Sequence, residues 1–449
     1  KRRIISAGIA VPLVAAFIVW GDEAHQYIAL YWRYCTIKAV EVTVLPQTGH
    51  ERIQPLNAVH TLAYEAMTEM KTPMTPDFVR IGTEDYWTIG IEPTKEWPRF
   101  ISGVEEILVA DGTSSSPTFS KENRVAVAFP VGEHLLFGRN SLTAVVKTMS
   151  PWRYFNYEPS GVLYMKDDDG AWVQVVTLTR WTGILFPQPE FGGVQIVRQQ
   201  EESLLDDLKL MVLGIGEWIP PEEMHLHPFL VGQHALAYPI SRYMADSFRY
   251  QAGFLAPFPL NHNKDVRIPD LEDDVNPQPF TVYFEGLPGR ESGGLYHYFA
   301  LEPYDPDKQG LNTALFVPAD GLGPVYVYHH ADRGETLIGV SAVSPKVKAS
   351  RRYYDWNNNK PVEHRPFIHT VDSRPHQFWL TTIITNKKQA YSGSEKHFTA
   401  GARPELVLTD AEPPYDTVWL NSENPDNWVK EFQQRRGSED AFPEEMQTK

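Results

Sequence analysis

The chain has 449 residues, with 41 lysines and arginines against 57 aspartates and glutamates, for a formal net charge of −16. That balance excludes nucleic acid as an expected partner, because phosphate binding needs a basic face and no cationic cluster beyond Arg351-Arg352 supplies one. The length allows two or three domains with proper cores, and the single cysteine, Cys35, excludes an internal disulfide.

Lys1, Arg2 and Arg3 open the chain, and no charge follows from Ile4 to Trp20. Such a run makes about 26 Å of helix at ~1.5 Å per residue, near the lower limit for crossing a hydrocarbon core. A cleavable signal peptide shares the basic start and apolar core, and Val14-Ala15-Ala16 could serve as its small-residue site. The reading preferred here is a retained signal-anchor over residues 1–21, ahead of a buried core helix. Cations before the span and Asp22-Glu23 after it put the N-terminus in the cytoplasm and the body outside, in the periplasm or at the cell surface. Trp20, Tyr27, Tyr31, Trp32 and Tyr34 would sit at the headgroup level. Cys35 beside them carries no lipid-attachment signal and is expected to be an inert, partly buried thiol.

Residues 22–47 form a juxtamembrane segment ending in a first strand, Thr36–Leu45, whose apolar residues alternate and are β-branched. Residues 48–198 read as a β-rich lobe with one helix. Asn57 is its expected N-cap, and Val59, Leu62, Ala63, Ala66, Met67 and Met70 fall at helical spacing. Strands are expected over Arg124–Val131, Ser141–Met149, Gly161–Met165 and Ala171–Trp181, with a hairpin turn at Asp167–Gly170. A helical insert spans 199–264. Leu204, Leu205, Leu208, Met211 and Val212 form one helix face there, and Pro239 opens a second helix burying Ile240, Tyr243, Met244 and Phe248.

The Asp- and Pro-rich segment 265–279 reads as a linker. Residues 280–432 form a second, sandwich-like β-rich lobe, with strands at Phe280–Phe284, Gly294–Leu301, Ala314–Val317, Val325–His329, Leu337–Val343, Gln377–Thr385, Glu405–Thr409 and Thr417–Leu420. Residues 433–449 are expected to be a disordered acidic tail. The fold class is thus mainly β with α insertions (α+β), with an N-terminal transmembrane helix and two extracytoplasmic lobes joined by a helical segment.

No strong catalytic motif is present: there is no G-x-S-x-G, no HExxH, and no Walker or dinucleotide-type glycine spacing. His225, His227 and His234 could hold zinc with an open fourth position if the stretch is extended, although Pro228 disturbs that geometry. Asp305-Pro306-Asp307-Lys308-Gln309-Gly310 resembles the opening of a calcium loop, but its twelfth position is Phe316, where a bidentate Glu is needed. Asp270, Glu272, Asp273 and Asp274 read as a solvated acidic face.

Twelve Trp, twenty-one Tyr and twenty-two Phe make aromatic anchors the remaining signal. They concentrate at Trp152 and Tyr154, and at Tyr353, Tyr354 and Trp356, where neighbouring arginines suit a protein interface. The function expected is a membrane-anchored structural or accessory subunit of a larger envelope complex, acting through protein contacts and holding lipid through residues 4–20. An anchored metal-dependent hydrolase using His225, His227 and His234, or a glycan-binding module, are the alternatives. No cofactor is expected beyond the zinc or calcium those clusters could take.

Overall fold

The structure is a computed structural model that describes residues 24–436, apart from 68–69, 116, 118, 120, 150–152, 154, 184–185, 201–203, 256–264, 273–274, 306 and 386–403. The strands in chain order are β1 (Ala39–Glu41), β2 (Thr48–Gly49), β3 (Lys71–Pro73), β4 (Asp77–Ile81), β5 (Glu84–Pro93), β6 (Val104–Asp111) and β7 (Arg124–Phe129). Then come β8 (Tyr157–Lys166), β9 (Trp172–Thr182), β10 (Gln188–Arg198), β11 (Glu217–Ile219), β12 (Val266–Arg267) and β13 (Phe280–Phe284). The last are β14 (Gly294–Pro303), β15 (Thr313–Pro318), β16 (Val325–His329), β17 (Asn359–Val371), β18 (Arg374–Thr385), β19 (Glu405–Asp410) and β20 (Thr417–Leu420). The helices are α1 (residues 24–36), α2 (Leu56–Glu65), α3 (Glu96–Ile101), α4 (Ser141–Lys147), α5 (Leu204–Leu213), α6 (Tyr238–Ser247), α7 (Val343–Ser350) and α8 (Pro425–Arg435).

These strands make four sheets, so the chain is mainly β with helices. The central sheet runs β1-β16-β15-β14-β13-β2, with β12 added to β14, and only the β1–β16 pair in it is parallel. Alternation along β14 gives it two apolar faces. Tyr296, Tyr298 and Ala300 pack with Trp379, Ile383 and Val407 of the β17–β20 sheet. Phe299 and Leu301 pack with Leu163, Val175 and Ile196 of the β8–β11 sheet and with Ile240 of α6. The outer face of β8–β11 meets Ile107, Val127 and Phe129 of the β3–β7 sheet and Val145 of α4. Beyond them α2 covers Trp87, Ile89 and Ile91, and on the opposite flank Trp428 and Phe432 of α8 cover β17–β20. The result is a stack of sheets whose inner members are apolar on both sides.

Several expectations are corrected. Residues 141–147 are a helix, not a strand: the Asn140 side chain accepts from Thr143 N at 3.1 Å, and Ser141, Ala144 and Val145 form its buried face. Leu337–Val343 is not a strand either, since Val340–Ala342 is a 3-10 turn leading into α7. Asn57 is not the cap of α2; Pro55 holds that position, and the Asn57 amide reaches Asn276 Oδ1 at 3.3 Å. Residues 433–435 belong to α8 rather than to a tail. Thr36 ends α1, and the first strand shrinks to Ala39–Glu41.

The expected span, 1–21, lies outside the described residues, and among those described no helix is long and apolar enough to cross a membrane. Tyr27, Tyr31 and Tyr34 of α1 pack edge-on against Tyr250, Phe254 and Phe248 of the body, while Trp32 points outward. Cys35 is exposed instead of partly buried.

Candidate functional site

Strand β5 is apolar on the side that faces α2 and polar on the other, where Thr88, Gly90 and Glu92 follow one another at the two-residue period. Asp77 of β4 pairs with Thr88 and so shares that face. Opposite stands Tyr164 of β8, buried, with Gln174 of β9 as its ladder partner. Gln174 Nε2 donates to the Tyr164 hydroxyl at 3.2 Å and to the Val131 carbonyl at 3.2 Å. Two glycines make room: a Cβ on Gly90 would collide with the Tyr164 hydroxyl, and one on Gly132 with the Glu92 carboxylate. A polar layer is thereby sealed between two sheets whose remaining contact is hydrocarbon.

Its charges are unusual. Glu92 accepts from His134 N at 3.0 Å, yet burial pushes its carboxyl up to about 7. Glu133 rises to about 8 through burial and the neighbouring Glu92, and Asp77 well above the normal range through burial and Glu133. Tyr164 is raised as well, by burial and then by these acids. In the same layer Thr88 Oγ1 and Gln174 Oε1 are buried without partners. Three carboxyls that share a desolvated layer cannot all ionise cheaply, so near neutral pH the layer keeps protons.

The layer backs onto a groove of about 430 Å³ lined by His60, Met74, Thr94, Arg99 and His134 among others. His134 is exposed; its Nδ1 lies 2.8 Å from Met74 Sδ, and Arg99 Nε donates to its carbonyl at 2.8 Å. His60, on α2, is lowered from the ordinary imidazole range by burial, with the nearby Pro73 carbonyl opposing the shift.

Beside the groove lies an apolar surface built from three short elements. Trp97 and Ile101 of α3, Phe137, and Leu208, Met211 and Val212 of α5 are all exposed; Trp97 retains 70% of its surface, Phe137 73% and Val212 74%. The Phe137 ring tilts against Phe100 with centroids 4.8 Å apart, and Phe137 has φ of +54°, a left-handed conformation that a bulky residue adopts only under constraint. Helix α5 is held by Arg139 on Asp207 at 2.7 Å, by Lys147 Nζ on the Met211 carbonyl at 3.0 Å and by buried Leu210. Of the helix face read from the sequence, Leu208, Met211 and Val212 are turned to solvent.

The residues singled out in the sequence are dispersed. His225 sits exposed on a 3-10 turn, and the His227 ring stacks edge-on against Phe229. His234 packs instead between Tyr238 and His297, and burial lowers it to about 4. Among the described residues no three His, Cys, Asp or Glu side chains group so as to hold a metal ion. Asp305 caps its own turn by accepting from Asp307 N at 3.1 Å, and Phe316 is in the core. Glu272 pairs with Lys348, and Asp270 lies 3.9 Å from Arg267.

Of the aromatic anchors, Tyr353 is fully exposed, whereas Tyr354 and Trp356 lean on Trp419, whose other neighbour is the Arg351 guanidinium 3.7 Å from its ring centre. Trp152 and Tyr154 lie outside the described residues. No family model, curated protein or solved structure matches this chain.

Proposed function

We propose that the protein is a membrane-anchored, extracytoplasmic structural or accessory subunit of a larger envelope complex, and that it works by holding a partner protein near the bilayer. The observation that carries this reading is the apolar surface of Trp97, Ile101, Phe137, Leu208, Met211 and Val212. Surface helices normally turn such a stripe inward, and a contiguous exposed patch of large side chains marks an interaction site. Docking would recover about 1.5–3 kcal/mol for each large side chain taken out of water. It would also exploit the aromatic pair Phe100 and Phe137, which keeps its geometry at little entropic cost. The flanking Lys95, Glu96, Lys147 and Lys209 supply the polar rim that a protein partner favours. The uncharged run from Ile4 to Trp20 supports the anchored location and raises the effective concentration of the patch for partners in the same membrane.

The test is gentle detergent extraction of the full chain from native membranes, followed by mass spectrometry, for the parent and for Leu208→Glu/Val212→Lys. A co-purifying protein present with the parent and lost from the double variant is expected. A monomer without partners in both samples would remove the reading.

A further inference from the structure

We propose that the outward face of α1, with Phe254 and Leu255 beside it, lies in the interfacial layer of a lipid bilayer, so that the folded body touches the membrane as well as being tied to it. The proposal rests on the anchored reading above and adds a lipid contact made by folded residues outside the uncharged run.

Helix α1 carries a single Asp, Glu, Lys or Arg residue, Arg33, which is buried and turned onto Glu190 at 3.4 Å. Its outer side holds Ile28, Trp32 and Cys35, all exposed and at the spacing that puts residues one and two turns apart on one helix face. Trp32 leaves 60% of its surface uncovered. Phe254 extends this face: Tyr27 and Tyr31 meet its ring edge-on, with centroids 5.1 and 4.8 Å away, and the Tyr27 hydroxyl donates to its carbonyl. Leu255, next in the chain, is 67% exposed. The outcome is an apolar and aromatic surface that no exposed charge of α1 interrupts, on a chain of which 22% is charged.

Position and composition both name lipid as its cover. The uncharged run Ile4 to Trp20 ends just ahead of α1, and the four Cα steps from Trp20 to residue 24 reach at most about 14 Å. An anchor in that run therefore delivers this face to the headgroup level. Trp and Tyr rings, apolar in the body and polar at the tip, concentrate where headgroups meet acyl chains. A helix with one apolar side and its other side occupied lies in that layer by burying the apolar side. The face shares no residue with the patch on α3 and α5 used in the proposed protein contact.

The experiment is spin-label accessibility on the full chain reconstituted into phosphatidylcholine vesicles. A nitroxide is attached at Ile28→Cys or at Tyr353→Cys in a Cys35→Ser background, the chain having no other cysteine. Relaxation by oxygen, which enters lipid, is compared with relaxation by a water-soluble nickel chelate. The oxygen-to-nickel ratio is expected to be several-fold higher at position 28 than at position 353, where the native tyrosine is fully exposed, and to fall toward the position 353 value in Trp32→Glu/Leu255→Glu. Trp32 and Leu255 are exposed, so charging them keeps the fold, as thermal melts of each variant will show. Equal ratios at the two positions in a chain that survives an alkaline wash of the vesicles would overturn the proposal and leave the anchored reading standing. Release of the chain by that wash would remove the anchored reading and the proposal with it. A label at position 28 shielded from both reagents would mean that a second copy of the chain covers the face, which also overturns the assignment to lipid.

Discussion

Asp85, near the start of β5, has a fully buried carboxyl whose Oδ2 lies 3.3 Å from His50 Nδ1 and which finds no hydrogen-bond donor among the described residues. Burial pushes it up to about 7, against the pull of Arg80 and with help from Asp111. An acid whose folded pKa exceeds its unfolded value stabilises the fold only while it stays protonated. Between about pH 4 and 7 the folded state keeps a proton that the unfolded chain has released, so stability falls as pH rises through that window. His234 acts with the opposite sign. Its pKa drops to about 4 on burial, so its contribution is lost as pH falls below 6.5 toward 4. Asp85→Asn removes the first effect and leaves the second. Chemical denaturation should find Asp85→Asn close to the parent at pH 4 and more stable at pH 7.5, by on the order of 1–3 kcal/mol. An equal difference at both pH values would mean that the residue acts by packing or hydrogen bonding rather than by its charge.

At the scale of elements, α4 shows why local pattern misled. Ser141 to Lys147 carries Val145-Val146 and alternates well enough to pass for a strand, but Asn140 supplies the cap and the sheet face behind Ala144 and Val145 needs a helix to cover it. Tertiary demand outweighs a β-propensity of a few tenths of a kcal/mol per residue. The cap can be tested directly. Asn140→Ala should cost about 1–2 kcal/mol in urea unfolding, because the side chain also donates to the Glu133 carbonyl at 2.6 Å, while Asn140→Ser should retain part of the loss. A neutral Asn140→Ala would show that packing alone sets the helix.

Strand β17 was hidden for a different reason. Pro361, Pro366 and the charged Glu363, His364 and Arg365 interrupt any apolar alternation, so no strand is expected there, yet β17 is an edge strand, where a missing N–H is tolerated. Its charges are met inside: Arg52 and Arg365 flank Glu363, and the Arg52 guanidinium also lies 5.5 Å from the Trp87 ring. By contrast β13, β16 and β20 were legible to the residue, since turn signals bound them closely and both faces are apolar.

At the scale of the whole molecule, the candidate site was invisible in the sequence because stacking creates it. Thr88, Gly90 and Glu92 look like the solvent face of an amphipathic strand, and only the arrival of β8 buries them. His60, Met74 and His134 share no motif spacing, and they line one groove because α2, the turn between β3 and β4 and the segment after β7 border it. Glycines opposite polar side chains, such as Gly90 and Gly132, are the nearest thing to a local signal, and they become readable only with a partner strand in place.

The same long-range logic governs the N-terminal segment. Helix α1 is fixed to the body by three tyrosines against aromatic partners, by Arg33 on Glu190 at 3.4 Å and by Gln188 Nε2 on the Ala29 carbonyl at 3.1 Å. Strand β1 then joins the central sheet in parallel with β16. Helix α1 is therefore continuous with the core through β1 and its aromatic contacts. Removing residues 1–23 should leave the melting temperature of the body within about 2 °C. Removing residues 1–36 uncovers Phe248 and Tyr250 and should lower it by about 3–10 °C. Differential scanning calorimetry of the two truncations decides the matter: equal melting temperatures would show that α1 lies loosely on the body.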